Sequence, residues 1–186
     1  VTLTALRITL LTFVRTGELR FAKWQEINFD TAEWRIPSEH RKKQAPMHIV
    51  PLSRQVLALF KQLQMVTGQR EHIFPNAANP TKCMSENAML YSMYRMGYNG
   101  KASPHGFRGT ASTLLNEMGY RPDVIERQLS HKDRNDVRRA YNHAQYMDER
   151  KAMMQDWADY LDAVRVDGNV ALASFRKSAQ LVKSAE

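Results

Sequence analysis

The sequence predicts a mainly helical fold with a small three-stranded antiparallel sheet, an α+β arrangement. Hydrophobic residues make up 43% of the 186 residues, which suits one globular domain with a real core. Helical periodicity recurs along most of the chain, whereas residues 22–52 carry short segments rich in aromatic and β-branched residues. Two small domains are also compatible with this length.

The first segment has the apolar spacing of an amphipathic helix. The residues that repeat at this spacing are Leu3, Leu6, Leu10, Phe13 and Val14. We expect this helix to end near Arg15. Arg7 interrupts the apolar run, so the pattern is typical of a core helix rather than a signal peptide. No apolar run approaches the ~20 residues that a membrane span needs, so no membrane contact is predicted.

Three short segments predict the strands of the sheet, namely KWQEINF, EWRIP and MHIVP. Asn, Asp, Ser and Pro separate them, as is usual between antiparallel strands. The basic stretch His40-Arg41-Lys42-Lys43 falls in the last turn of this sheet.

Capping residues and prolines predict the later helices. Ser53 is expected to cap one helix, and Ser103 another with Pro104 at its first position. Residues 69–83 lack periodicity and are expected to form a loop. The predicted helices cover residues 53–67, 84–97, 103–119, 122–129, 134–143 and 148–164. A break at residues 167–169 separates a domain at 1–166 from a tail at 167–186.

The charge and the cysteine count limit the function classes. The net charge is +8, which indicates either a polyanionic partner or simply a basic surface. The single Cys83 rules out an internal disulfide framework and fits a reducing compartment. No metal-ligand spacing and no phosphate-binding glycine motif occurs, so no metal and no cofactor are predicted.

Two histidines, an arginine and a tyrosine lie close together in the C-terminal half. They occur as His105-Gly-Phe-Arg108, Leu-Ser-His131 and Tyr141. Phosphodiester cleavage by a phenol needs such a set, because cations must stabilise the charge on the non-bridging oxygens. His105 and Arg108 are three residues apart, so we expect them to share an outward helix face.

These residues resemble the catalytic domain of the tyrosine recombinases, the phage integrase family. The string HGFRGTASTLLNE is similar to the family's second box, Arg15-Thr-Gly-Glu18-Leu to its first, and Leu129-Ser-His131 to its third. Thr16 replaces the family's common proline. The resemblance covers residues 1 to about 165 and looks closest to integrases of satellite phages and genomic islands.

The resemblance implies a role for each residue. Arg15, His105, Arg108 and His131 would bind the scissile phosphate, and Glu18 would support the cations. Tyr141 would be the nucleophile, because family spacing from His131 favours it over Tyr146.

A lysine of the hairpin would protonate the leaving 5′-oxygen. Counting back from His48 selects Lys43, and counting forward from Ile36-Pro37 selects Lys42. We favour Lys43, and expect Lys42 and Arg41 to contact DNA.

The resemblance implies an integrase that cuts and rejoins DNA through a 3′-phosphotyrosyl intermediate and a Holliday junction, integrating or excising a prophage or genomic island. Its implied partners are double-stranded DNA attachment sites and accessory DNA-bending or directionality proteins, and the protein would assemble as a homotetramer on DNA. It would be the catalytic domain of a longer protein, located in the cytoplasm with the nucleoid. Its tail would be mobile or dock in trans on a neighbouring protomer. The alternatives are a type IB topoisomerase and a non-catalytic DNA-binding protein.

Overall fold

The computed structural model describes residues 1–41, 45–130 and 146–168. They form two compact units, Val1–Thr110 and the residues from Ala111 onward. The helices are α1 (Thr2–Thr12), α2 (Thr16–Arg20), α3 (Arg54–Thr67), α4 (Ala88–Arg95), α5 (Gly106–Glu117), α6 (Pro122–Leu129) and α7 (Met147–Asp167). The strands are β1 (Ile27–Asn28), β2 (Glu33–Ile36) and β3 (His48–Pro51). The predicted fold class, mainly helical with a three-stranded antiparallel sheet, is confirmed.

The sheet of the first unit has the order β1-β2-β3, and both pairings are antiparallel. Trp34 and Ile36 are fully buried, whereas Arg35 between them points to solvent, which is the alternation of a half-buried sheet. The first strand is shorter than predicted, because Trp24–Glu26 form a 3-10 turn. The Trp24 indole donates to the carbonyl of Thr67 at 3.0 Å, so a contact with α3 overrides the local strand preference.

Helix α1 ends at Thr12, three residues before the predicted end. Phe13 takes a left-handed conformation with φ 41° and donates its N–H to the carbonyl of Thr9 at 2.8 Å. The buried face of α1 consists of Ala5, Leu6, Ile8, Thr9, Leu11 and Thr12. Leu3 is 58% exposed, so its predicted place on the apolar face is wrong. Helix α2, which follows directly, was not predicted.

Two helices, α4 and α5, begin later in the sequence than predicted. Helix α4 begins at Ala88 rather than at residue 84, since Met84 donates its N–H to Phe74 in a bridged segment. Helix α5 begins at Gly106 rather than at Pro104. Ser103 nevertheless caps it, because its hydroxyl accepts the N–H of Gly106 at 3.2 Å.

The remaining helix signals are confirmed. The Ser53 hydroxyl accepts the N–H of Val56 and caps α3. Helix α5 ends just before Gly119, whose φ of 89° suits glycine and closes the last turn. Helix α6 spans the predicted 122–129 with Pro122 in its first turn.

The second unit has a core between α6 and α7. Its buried side chains include Val124, Ile125, Leu129, Met153, Met154 and Trp157. The prediction that both methionines fill the core is therefore confirmed. Helix α7 continues three residues past its predicted end at 164, to Asp167. The helix predicted at 134–143 lies outside the described residues. Among the described helices, none is long and apolar enough to cross a membrane.

Candidate active site

Arg15 and Glu18 form a compact ion pair at the start of helix α2. Arg15 is the N-cap residue, and its N–H donates to Glu18 Oε2 at 3.0 Å. Its guanidinium Nη1 donates to Glu18 Oε1, also at 3.0 Å. The Glu18 side chain is only 2% exposed, whereas that of Arg15 is 35% exposed. A buried carboxylate thus fixes a cation that a phosphate can still reach from solvent.

Arg41 binds the same carboxylate from a distant part of the sequence. Its Nε lies 3.3 Å from Glu18 Oε1, and its side chain is only 5% exposed. Its Nη1 donates to the carbonyl of Pro46. Sequence reasoning assigned Arg41 to DNA contact and missed this link, because a separation of 23 residues leaves no local signal.

Arg108 approaches the same end of helix α1. It is 6% exposed, and its Nη1 donates to the main-chain carbonyl of Phe13. Phe13 lies two residues before Arg15, so the first unit brings both arginines to one segment. The expectation that Arg108 lies on an outward helix face is wrong, because its guanidinium is buried against the end of α1.

His105 is exposed and directly precedes α5. Its carbonyl accepts the N–H of Arg108 at 3.3 Å, so a single turn joins the two residues. They therefore do not share a helix face, although they remain neighbours. The described part of the first unit contains Arg15, Glu18, Arg41, His105 and Arg108. The other predicted site residues lie outside the described residues: Lys42, Lys43, His131 and Tyr141.

Two tyrosines of the second unit have environments that oppose nucleophilic attack. The Tyr146 phenol is hydrogen-bonded to Asp123, which raises the pKa of Tyr146 above its usual value. Arg121 lies over its ring at 4.9 Å. Burial, with a 2.6 Å hydrogen bond to Asp156, raises the pKa of Tyr120 as well. Both phenols are harder to ionise than a free tyrosine, which weakens them as nucleophiles.

The helix that leads to His131 is anchored by a buried arginine. Arg150 is 3% exposed and donates through Nε and Nη2 to Gln128 Oε1, at 3.0 and 2.7 Å. Burial, together with the nearby charge of Arg127, lowers the pKa of Arg150 to about 10. This pair ties the end of α6 to the start of α7.

A second buried carboxylate lies beside the sheet. Glu26 accepts the indole N–H of Trp34 at 3.0 Å, and its Oε1 lies 3.2 Å from Nδ1 of His40. Burial raises the pKa of Glu26 from 4.5 to about 7 and lowers the pKa of His40. Within the described ranges, no group of three or more ligating side chains could hold a metal ion.

Comparison with known proteins identifies the family to which this fold belongs. Residues 1–148 match the phage integrase family. Over 176 residues the chain is 47% identical to the integrase of Enterobacteria phage P4, covering 87% of this chain and 40% of that protein. The chain belongs to the phage integrase family, and it spans less than half the length of this relative.

Two solved structures share the fold. The integrase from mycobacterium phage Brujita matches with a TM-score of 0.63 and 16% identity, over 96% of this chain and 56% of that one. The Tn1549 transposon integrase, solved in complex with transposon right end DNA, matches with a TM-score of 0.52 and 16% identity. That match covers 81% of this chain and 57% of the other.

Proposed function

We propose that this chain is the catalytic part of a site-specific DNA recombinase, an integrase that cuts and rejoins DNA through a tyrosine. The observation that carries the proposal is the arginine cluster of the first unit. Glu18 accepts two hydrogen bonds from Arg15, one from its main chain and one from its guanidinium. Arg108 donates to the carbonyl of Phe13, two residues before Arg15. Preorganised guanidinium groups are what a phosphoryl-transfer site needs, because they stabilise charge without reorganising.

In the proposed reaction Tyr141 attacks the scissile phosphorus and gives up its phenolic proton. The bond from phosphorus to the 5′-oxygen breaks, and a 3′-phosphotyrosyl link forms. Arg15, Arg108, His105 and His131 bind the non-bridging oxygens while negative charge builds on them. The covalent link conserves the bond energy, so a second 5′-hydroxyl can reverse the step without ATP or metal.

The leaving 5′-oxygen needs a proton to depart as a hydroxyl. We assign this proton to Lys43, with Lys42 as a DNA contact. Both lysines follow Arg41, which is itself bound to the Glu18 carboxylate. Lys43 would therefore lie two residues after an arginine that binds the same carboxylate as Arg15 does.

The substrate of the proposed enzyme is double-stranded DNA at an attachment site. The basic charge of +8 supports a polyanionic partner, and the related Tn1549 integrase has been solved with DNA. We further propose that four protomers exchange strands pairwise through a Holliday junction, aided by accessory DNA-bending or directionality proteins. The enzyme would act on the nucleoid in the cytoplasm.

We propose residues 1–166 as the catalytic domain of a longer integrase and residues 167–186 as a tail. The tail either docks on a neighbouring protomer or remains mobile. Truncation after Asp167 distinguishes these possibilities. Loss of synapsis with intact single-site cleavage supports docking in trans, and unchanged recombination rejects it.

Strand joining tests the proposed function against its nearest alternative. The protein is incubated with two DNA duplexes that carry the junctions of its mobile element, and separately with supercoiled plasmid. Recombinant products that depend on both sites support a recombinase. Relaxation of plasmid without joined products supports a type IB topoisomerase, and DNA binding without any covalent product supports a binding protein.

A further inference from the structure

Arg41 connects three segments of the first unit through one guanidinium group. The residue caps the 3-10 turn Ser38–His40, and its side chain is nearly buried. Its Nε binds Glu18 Oε1 on helix α2, and its Nη1 binds the carbonyl of Pro46. The guanidinium therefore ties helix α2 to the connection between β2 and β3, to which both Arg41 and Pro46 belong.

The shared carboxylate transmits this contact to Arg15. Glu18 Oε1 accepts from both Arg15 Nη1, at 3.0 Å, and Arg41 Nε, at 3.3 Å. The Arg15 side chain is about one-third exposed, and its Nη1 is bound by Glu18 Oε1. A buried carboxylate is stable only when its partners are well placed. Removing Arg41 would let Glu18 reorient and take Arg15 with it.

His40, the residue before Arg41, lies against a second buried carboxyl group, that of Glu26. His40 Nδ1 lies 3.2 Å from Glu26 Oε1, and both side chains are nearly buried. The His40 ring also packs against Phe21 with 5.8 Å between ring centroids. Two consecutive residues, His40 and Arg41, thus lie against two buried carboxyl groups, and of these contacts the one from Arg41 to Glu18 is a hydrogen bond.

We propose that Arg41 is a positioning residue for strand cleavage rather than a DNA contact. It acts on Arg15 through the shared Glu18 carboxylate. This role rests on the proposed recombinase function. Its Nε and Nη1 are already bound to Glu18 and to the carbonyl of Pro46, which favours positioning over phosphate binding.

The test compares Arg41→Met and Arg41→Lys with Arg35→Met, a control on the exposed face of the same sheet. Single-turnover cleavage of a nicked suicide substrate is measured at saturating DNA, and DNA affinity is measured against salt. Arg41→Met should slow cleavage about tenfold or more, as expected when a charge-stabilising group is misplaced. Its log-log salt slope should equal that of the wild type, whereas loss of one phosphate contact lowers the slope by about 0.9.

Arg41→Lys separates positioning of Arg15 from general damage to the fold, and a 5′-bridging sulfur substrate separates it from a loss of leaving-group protonation. Sulfur leaves without protonation, so it should not restore the cleavage that Arg41→Met loses, because the misplaced group is Arg15. Arg41→Lys keeps a cation near Glu18 and should cleave faster than Arg41→Met. If Arg41→Met does not fold, Arg41→Lys alone must show slower cleavage with an unchanged salt slope.

Two results overturn the proposal. One is a salt slope lowered by about 0.9 with normal cleavage at saturating DNA, which marks a phosphate contact. The other is cleavage by the Arg41 variants equal to that of Arg35→Met. Either result leaves the proposed function intact as long as the wild type forms a covalent adduct. Absence of the wild-type adduct overturns the proposed function itself.

Discussion

Arg108 donates a hydrogen bond from Nη1 to the carbonyl of Phe13, the residue at which helix α1 ends in a left-handed conformation. A positive φ is unfavourable for a bulky aromatic residue, so the surrounding contacts must hold it. The fully buried ring of Phe13 and the guanidinium of Arg108 provide such contacts. This contact places a proposed phosphate-binding arginine beside the chain that leads to Arg15.

Arg108→Lys should lower single-turnover cleavage about 10²-fold or more, because one ammonium cannot hold the Phe13 carbonyl and also bind phosphate as a planar fork does. Arg108→Ala should also lower the free energy of unfolding by about 1–3 kcal/mol, since it removes a buried hydrogen bond from a charged donor to the Phe13 carbonyl. Lys61→Ala, on the exposed face of α3, is the control and should change neither quantity. Near-normal cleavage by Arg108→Lys would remove Arg108 from the site.

The Glu26 carboxyl should make folding stability depend on pH. Its pKa is raised to about 7 in the folded protein, so the folded state keeps a proton that the unfolded state has lost above about pH 4.5. The contribution of Glu26 to stability should therefore fall as the pH rises from about 4.5 to about 7. Burial lowers the pKa of His40, so its contribution to folding stability should instead fall as the pH drops below 6.5.

Glu26→Gln should remove the carboxyl contribution while keeping an acceptor for the Trp34 indole. Relative to the wild type, this variant should gain about 2 kcal/mol in unfolding free energy on going from pH 5 to pH 8. Urea denaturation at the two pH values measures the gain, and the exposed Glu86→Gln is the control. An equal stability difference at both pH values contradicts the assigned pKa.

Lys43→Ala should slow cleavage more than Lys42→Ala, because Lys43 is the proposed general acid. A substrate with a 5′-bridging sulfur needs little protonation and should rescue the Lys43 variant. Cleavage rates of the oxygen and sulfur substrates are compared for both variants. Rescue of Lys42→Ala alone reverses the assignment, and rescue of neither makes both lysines DNA contacts.

The sequence could predict what depends on local spacing. The Ser53 and Ser103 caps and helix α6 follow from capping and proline signals, and Arg15 and Glu18 lie at i and i+3, where a pair forms readily. The link from Arg41 to Glu18 and the burial of Arg108 depend on tertiary contacts that no period encodes. Helix α1 ends earlier than predicted at a residue, Phe13, that is also held by a tertiary contact, the hydrogen bond from Arg108.

The predicted start of the first strand was wrong for a related reason. Trp24 lies in a segment with strand propensity, but its indole binds Thr67 and its ring packs against Phe60. These contacts with α3 draw the backbone into a 3-10 turn. Strand propensity reflects packing context, so it could not predict this exception.

Trapping on a nicked suicide substrate tests the central claim most directly, namely that Tyr141 is the nucleophile. The wild type and Tyr146→Phe should form a covalent protein–DNA adduct, and peptide mapping should locate the DNA on Tyr141. Tyr141→Phe should bind the same DNA with unchanged affinity and form no adduct, because it loses only the attacking oxygen. An adduct on Tyr141→Phe, or its loss on Tyr146→Phe, would contradict the assignment.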